Sequence, residues 1–142
     1  MPDPIVYLFV HVICTVQGRE RLLARPARKV LFVHMQKEAE EKGIKIVTVN
    51  GVDDHMHLLL QLMPSQNIVQ VVKSIKALSS GWLNENKLLT DAFEWEDNYY
   101  ALSVSPSNVK QVKDFIEKQE EHHKTKTLDA ELEAFVRLKE QI

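Results

Sequence analysis

"IKIVTVNGVDDHMHLLLQL", residues 44–62, decides the fold. The first seven residues alternate at period two, "GVDD" has turn chemistry, and "HMHLLLQL" runs on extended, so the stretch reads as a β-hairpin. Side chains alternate across a strand, which puts His55 and His57 on one face and Met56 and Leu58 on the other. Two imidazoles side by side on a strand otherwise suited to a core pose the question of what they hold.

Upstream, "PIVYLFVHVICTV" (residues 4–16) is rich in β-branched and aromatic residues and reads as a long buried strand. A mixed apolar and charged pattern follows, with Gly43 placed to end a helix over roughly residues 22–42. Downstream, Ile68, Val71, Val72, Ile75 and Leu78 recur at helical spacing after Pro64, with Ser65 as the expected N-cap. "WEDNYYALSVS" (95–105) reads as another strand, and "SPSNVKQVKDFIEKQEEHH" (105–123) as a third helix capped by Ser105 or Ser107. "TLDAELEAFVRLKEQI" (127–142) is a short amphipathic helix. The order β-α-β-β-α-β-α plus a tail helix predicts an α+β fold. Its form is a ferredoxin-like or RNA-recognition-motif-like antiparallel sheet with helices on one face.

The 142 residues fit one domain, and an apolar fraction of 44% with 27% charged residues is that of an ordinary soluble protein. The longest apolar stretch is too short to cross a membrane, is interrupted by His11 and lacks a basic leader. The expectation is therefore a cytoplasmic protein, nucleoid-associated when bound to DNA, with no membrane partner. The lone Cys14 lies in an apolar run, as an inert core thiol would. The net charge of −2 hides an uneven distribution, because "GRERLLARPARK" (18–29) carries five basic residues against one acid. A locally basic surface counts for more than the total in phosphate contacts.

Two imidazoles on one strand face can grip one ion, and oxygen donors beside them would bias it toward Mg²⁺ or Mn²⁺. Without cysteines the pattern argues against a closed structural zinc site. In the third helix Phe115 and Gln119 are four residues apart and share a face, with His122 further along, so Gln119 could offer a carbonyl oxygen to the ion. Taken alone, Gln119, His122 and His123 equally suit a solvated helix end.

Taken together, "DDHMHLLL", "IVQVVKSIKALSSGWLNEN", "EWEDNYYALSVS" and "VKQVKDFIEKQEEHH" resemble the single-tyrosine HUH transposases. These are the small enzymes of the simplest bacterial insertion sequences and of repeat-associated (REP-type) relatives. The likeness runs from Pro4 to around Lys126, with the motifs in the family's order. It implies a catalytic domain over residues 1–125 and a helical tail over 126–142. It also implies metal ligation of Mg²⁺ or Mn²⁺ by His55, His57 and Gln119, homodimerisation, and binding of single-stranded DNA through a hairpin. By resemblance, strands are cut and rejoined through a 5′-phosphotyrosine intermediate. The covalent link would store the phosphodiester energy, so that rejoining needs no ATP.

One position departs from the family. The nucleophile's place, four residues before Gln119, holds Phe115, which has no hydroxyl and cannot attack phosphorus. Three accounts are open: an engineered Tyr→Phe, an inherited loss of cleavage in a protein that still binds DNA hairpins, or substitution by Tyr99 or Tyr100. A histidine-triad hydrolase would want a third alternating histidine where Leu59 stands, and a two-histidine phosphoesterase a different motif after His11. For phosphate contacts the candidates are Lys73, Lys76, Ser79 and Ser80 on the second helix and the cluster Arg19, Arg21, Arg25, Arg28 and Lys29. Trp82, Trp95, Tyr99 and Tyr100 are candidates for stacking on unpaired bases.

Overall fold

The computed structural model describes residues 3–142. Strand β1 (Leu8–Thr15) leads through a single 3-10 turn to helix α1 (Arg25–Glu41), followed by β2 (Lys45–Val52), β3 (His55–Leu62), helix α2 (Ile68–Glu85) and β4 (Tyr100–Val104). Helices α3 (Val109–Glu117), α4 (Gln119–His122) and α5 (Leu128–Arg137) complete the chain, which closes on a 3-10 turn. The sheet runs in the order β2-β3-β1-β4 with every neighbour antiparallel. This is the expected ferredoxin-like arrangement.

The hairpin is tighter than its sequence suggests. Gly51 and Val52 pair with Met56 and His55, so the turn is Asp53-Asp54 alone. A Cβ at Gly51 would run into the backbone of His55 and Met56, and only glycine allows β2 to pass the start of β3 at this distance.

Local chemistry also moves the helix ends. Residues 22–24 are not helical; Leu23 donates its N–H to the Asp53 carbonyl at 2.9 Å, and α1 begins at Arg25 with Pro26 in its first turn, where proline's missing N–H costs nothing. Asn67, not Ser65, caps α2, its side chain accepting the Gln70 N–H at 2.9 Å. The predicted third helix is broken. Ser105 and Ser107 bond to each other at 3.1 Å rather than capping, Pro106–Asn108 forms a 3-10 turn, and α3 ends before Lys118 (φ −102°, ψ 20°). Asn50 on β2 takes up carbonyls near that break, donating from Nδ2 to Ile116 and Glu117 at 3.0 Å each.

Helices α1 and α2 pack on one face of the sheet over Val12, Cys14, Met56, Leu58 and Leu60. The helices are not confined to one face as expected: on the other face α3 lies over β2 and β3, where Ile116 packs with Leu59. The tail helix α5 joins Leu128 and Leu132 to Ile13, with Tyr100 and Phe135 beside them. The tail helix therefore covers the sheet face that His11, His55 and His57 share. No helix among the described residues is long and apolar enough to cross a membrane.

Candidate metal centre

His55 and His57 lie on one face of β3, both fully buried, as the alternation requires. His55 Nδ1–H donates to the Asp54 carboxylate at 2.7 Å, which leaves its Nε2 facing the space between sheet and tail. His57 Nε2 lies 2.6 Å from Glu131 Oε1, and its Nδ1 lies 2.7 Å from His11 Nε2. When His57 donates from Nε2, its Nδ1 accepts from His11.

Glu131 is the hub. Its Oε1 also lies 3.5 Å from His55 Nε2, and its Oε2 lies 3.0 Å from His122 Nε2 and 3.1 Å from His123 Nε2. Donor atoms of His55, His57, His123 and Glu131 all fall within 4.8 Å of one another, a set that could hold a metal ion. Gln119 is fully buried at the start of α4, and neither its Oε1 nor its Nε2 has a hydrogen-bond partner; His55 Nε2, His123 Nε2 and Glu131 Oε2 also lack aligned partners. Buried polar atoms are nearly always satisfied, so this concentration of orphans fits a cation-binding centre.

The electrostatics follow from burial and from the one carboxylate. Burial pushes His57 down to about 4 against the opposing pull of Glu131. Burial, then the neighbouring His57, push His11 down to about 3, with Glu131 opposing. For His55 burial also works against the charged form, but the carboxylates of Asp54 and Glu131 beside it outweigh burial and raise its pKa. Burial opposes ionisation of Glu131 too, yet the imidazoles of His123, His55 and His57 set against it hold its carboxyl far below the usual range. The site is thus a buried carboxylate ringed by imidazoles, at least two of them neutral.

Phe115 stands at the edge of this cluster, 37% exposed, with its ring centroid 5.8 Å from His57, 5.1 Å from His122 and 6.2 Å from His11. It lines a cleft of about 220 Å³ together with His57, His122, Glu131 and Phe135. Position 115 and the histidine pair are therefore brought together, although the helix between Phe115 and Gln119 is interrupted.

The candidate phosphate contacts divide. Lys76 donates from Nζ to the carbonyls of Glu96 (2.6 Å), Asp97 (3.0 Å) and Asn98 (3.1 Å) and lies over the Tyr99 ring, so its charge holds a loop. Ser79 is fully buried, donating to Ile75 O and accepting Trp95 Nε1–H, both at 2.8 Å; no phosphate reaches it in this fold. Lys73 is exposed on the wall of a groove that Lys76 and Tyr99 also line. Arg28 is buried and joins Leu23 O, Asp53 and Glu120. Arg25 pairs with Glu120 at 3.4 Å, and Arg19 with Asp129 and Glu96. Exposed Arg21 lines a mixed-charge groove of about 630 Å³ with Lys124, Lys126 and Asp54. Three of the run's five basic residues, Arg19, Arg25 and Arg28, are thus paired within the fold. Trp95 is core, and Trp82 stacks on His34 at 4.2 Å.

The sequence reading missed His11, His123 and Glu131 as members of the centre. Glu131 did carry a signal. It sits inside the apolar stripe Leu128, Leu132, Phe135 of α5, where a lone acid must be buried and therefore partnered.

Comparison with known proteins gives this geometry a family. The model of the IS200-like transposase family matches residues 5–119. The chain belongs to that family. The chain is similar to the ISDra2 transposase TnpA of Deinococcus radiodurans, 28% identical over 114 residues that span 77% of this chain and 81% of that protein. Among solved structures, a candidate transposase from D. radiodurans R1 superposes with a TM-score of 0.66 at 24% identity, over 84% of this chain and 95% of that one. A REP-associated tyrosine transposase bound to a REP hairpin superposes with a TM-score of 0.61 at 13% identity, over 87% and 74%. The likeness to these two structures is one of fold. Against this transposase family, α5 and its Glu131 stand outside the matched residues.

Proposed function

We propose that this IS200-like transposase chain is built as a metal-dependent single-stranded DNA strand transferase and binds DNA hairpins but, with Phe115 in the nucleophile's place, neither cuts nor transfers a strand. The observation that carries this reading is the Phe115 ring set against His57 and His122, hydrocarbon at the one place where the family's chemistry needs a hydroxyl. Support for hairpin binding comes from the fold shared with the hairpin-bound REP-associated transposase.

His55, His57 and Gln119 would hold the ion, Mg²⁺ or Mn²⁺. Asp54 fixes the His55 ring, and His11 fixes that of His57. Bound there, such an ion would polarise a phosphodiester and offset the charge that develops on it during displacement. The chain's own part is to align the phosphate against the cluster and shield it between β3 and the C-terminal helices. Exposed Lys73, Arg21 and Arg25 supply phosphate contacts, with Arg19 beside them. In the same reading residues 1–125 form the catalytic body of a homodimer, and residues 126–142 an appended tail.

The test is to incubate the protein and a Phe115→Tyr variant with labelled single-stranded hairpin DNA from around its gene and Mn²⁺, then resolve covalent adducts on a denaturing gel. Both should shift the DNA on a native gel, and only the variant should form an adduct. An adduct formed by the unaltered chain would sink the assignment of position 115.

A further inference from the structure

We infer that the segment after Gln119 supplies two further protein ligands to the ion, His123 and Glu131, which join His55, His57 and Gln119 in a centre of three histidines and one carboxylate closed by α5. The inference rests on the proposal above that an ion binds at His55 and His57. It assigns ligands beyond the residues 5–119 matched by the family.

Burying Glu131 carries a cost. Its residue is 7% exposed, and among the described residues no Lys or Arg pairs with it. Its neighbours are the imidazoles of His55, His57, His122 and His123, none of them a permanent cation. A buried carboxylate needs a permanent counter-charge or a metal, and a divalent cation among these donors would supply it. The donor atoms are already gathered: those of His55, His57, His123 and Glu131 lie within 4.8 Å of one another, and His55 Nε2, His123 Nε2 and Glu131 Oε2 have no aligned hydrogen-bond partner. Asp54 holds His55 so that its free nitrogen faces the same space. The elements are anchored for the purpose. Thr127 caps α5 by accepting the Ala130 N–H at 3.2 Å, and Leu128 and Leu132 pack on Ile13, fixing Glu131 between them over the histidine pair.

Two consequences distinguish this centre from one made of two histidines and a glutamine. Three imidazoles and a carboxylate form a nitrogen-rich set, which favours Mn²⁺ over Mg²⁺, since Mg²⁺ prefers oxygen donors and retained water. The ion would also tie the tail to the sheet, because its ligands come from β3 and from the segment after α4.

The experiment is a Mn²⁺ titration, followed by loss of the free-ion EPR signal and by calorimetry, on the full chain and on the His57→Ala, Glu131→Ala and His123→Ala variants. Trypsin cleavage at Lys124 and Lys126 is monitored in parallel. The expected result is that Glu131→Ala and His123→Ala each weaken Mn²⁺ binding by at least about 10-fold, the low end of what even outer-shell changes cost. Mn²⁺ should slow cleavage of the unaltered chain and not of Glu131→Ala, and Mg²⁺ should bind the unaltered chain more weakly than Mn²⁺. Should Glu131→Ala fail to fold by circular dichroism, His123→Ala carries the same test. Unchanged or tighter Mn²⁺ binding in the folded tail variants, with binding still lost in His57→Ala, overturns the tail ligands and leaves the proposed function standing. Unchanged binding in His57→Ala as well overturns both.

Discussion

The two faces of the sheet are equally buried and chemically opposite. Toward α1 and α2 the strands present Val12, Cys14, Met56, Leu58 and Leu60, all at 0% exposure. Toward α3–α5 the same two strands present His11, Ile13, His55, His57 and Leu59, none above 7%. Burial alone does not separate a core from a site. What separates them is that the second face buries polar atoms and leaves several unsatisfied, which a chain built only for stability avoids. The sharpest way to break this comparison is to truncate one residue on each face. Leu58→Ala should cost about 2–5 kcal/mol of stability by urea unfolding, through lost transfer energy and the cavity left behind, while any folded fraction still binds metal. His57→Ala should abolish metal binding with a smaller loss in the metal-free protein. Equal stability losses in the two variants would erase the distinction between the faces.

Arg28 tests how the second face is held in register. Its guanidinium bridges Leu23 O (2.9 Å), Asp53 (2.8 Å) and Glu120 (3.2 Å), tying α1 to the hairpin turn and to α4. Asp53 and Glu120 are partly solvated, at 51% and 35% exposure, so Arg28→Ala should cost about 2 kcal/mol, below the roughly 3–5 kcal/mol of a fully buried broken pair. Arg28→Lys should recover little of it, since one ammonium cannot reproduce the fork that serves three acceptors. Full recovery by lysine in urea melts would mean that charge, and not the planar fork, is what holds α4.

Stability against pH separates the two faces again, because the histidines of β1 and β3 all lie on one of them. His11 and His57 are held neutral in the fold, at about 3 and about 4, below the ordinary 6.5. Between pH 6.5 and 4 the unfolded chain therefore binds more protons, and the stability these two histidines contribute above that window is lost as pH falls through it. His55, raised by Asp54 and Glu131, works in the opposite sense, so the net fall is smaller than two independent histidines would give. The metal-free protein should lose several degrees of Tm from pH 7 to pH 5, and His11→Phe should flatten that slope. A Tm that rises on acidification would show His55 governing the cluster.

The element order and the apolar face could be read directly from the sequence, because period-two and period-3.6 patterns report the type of each element and which side of it meets the core. The histidine pair could be read for the same reason, and Gln119 and Phe115 through their spacing and the family likeness. Glu131 and His123 could not. Their place depends on the break at Lys118 and on α5 folding back across the sheet, and neither leaves a local pattern beyond an acid within an apolar stripe. His11 needed the register of β1 against β3, which pairs Ile13 with His57 and so puts residue 11 two positions along on the same face. The pairing of Arg19, Arg25 and Arg28 in the basic run at 18–29 was not legible for the complementary reason. Charge is visible in sequence, but its partners Asp53, Glu120 and Asp129 come from distant segments.

The smallest effect separates two lysines three residues apart on α2. Lys76 is bound to three carbonyls of the 96–98 loop, whereas Lys73 is exposed on the same groove and, among the described residues, no acceptor holds it. Lys73→Ala should leave stability within about 0.5 kcal/mol. It should lower the slope of log affinity for a single-stranded DNA hairpin against log salt by about one, the mark of a lost phosphate contact. Lys76→Ala should do the reverse, loosening the loop that carries Trp95 and Tyr99 and lowering the Tm while the salt slope stays nearly constant. A salt slope that falls for Lys76→Ala at unchanged Tm would return that residue to the DNA surface and make the three carbonyl contacts incidental.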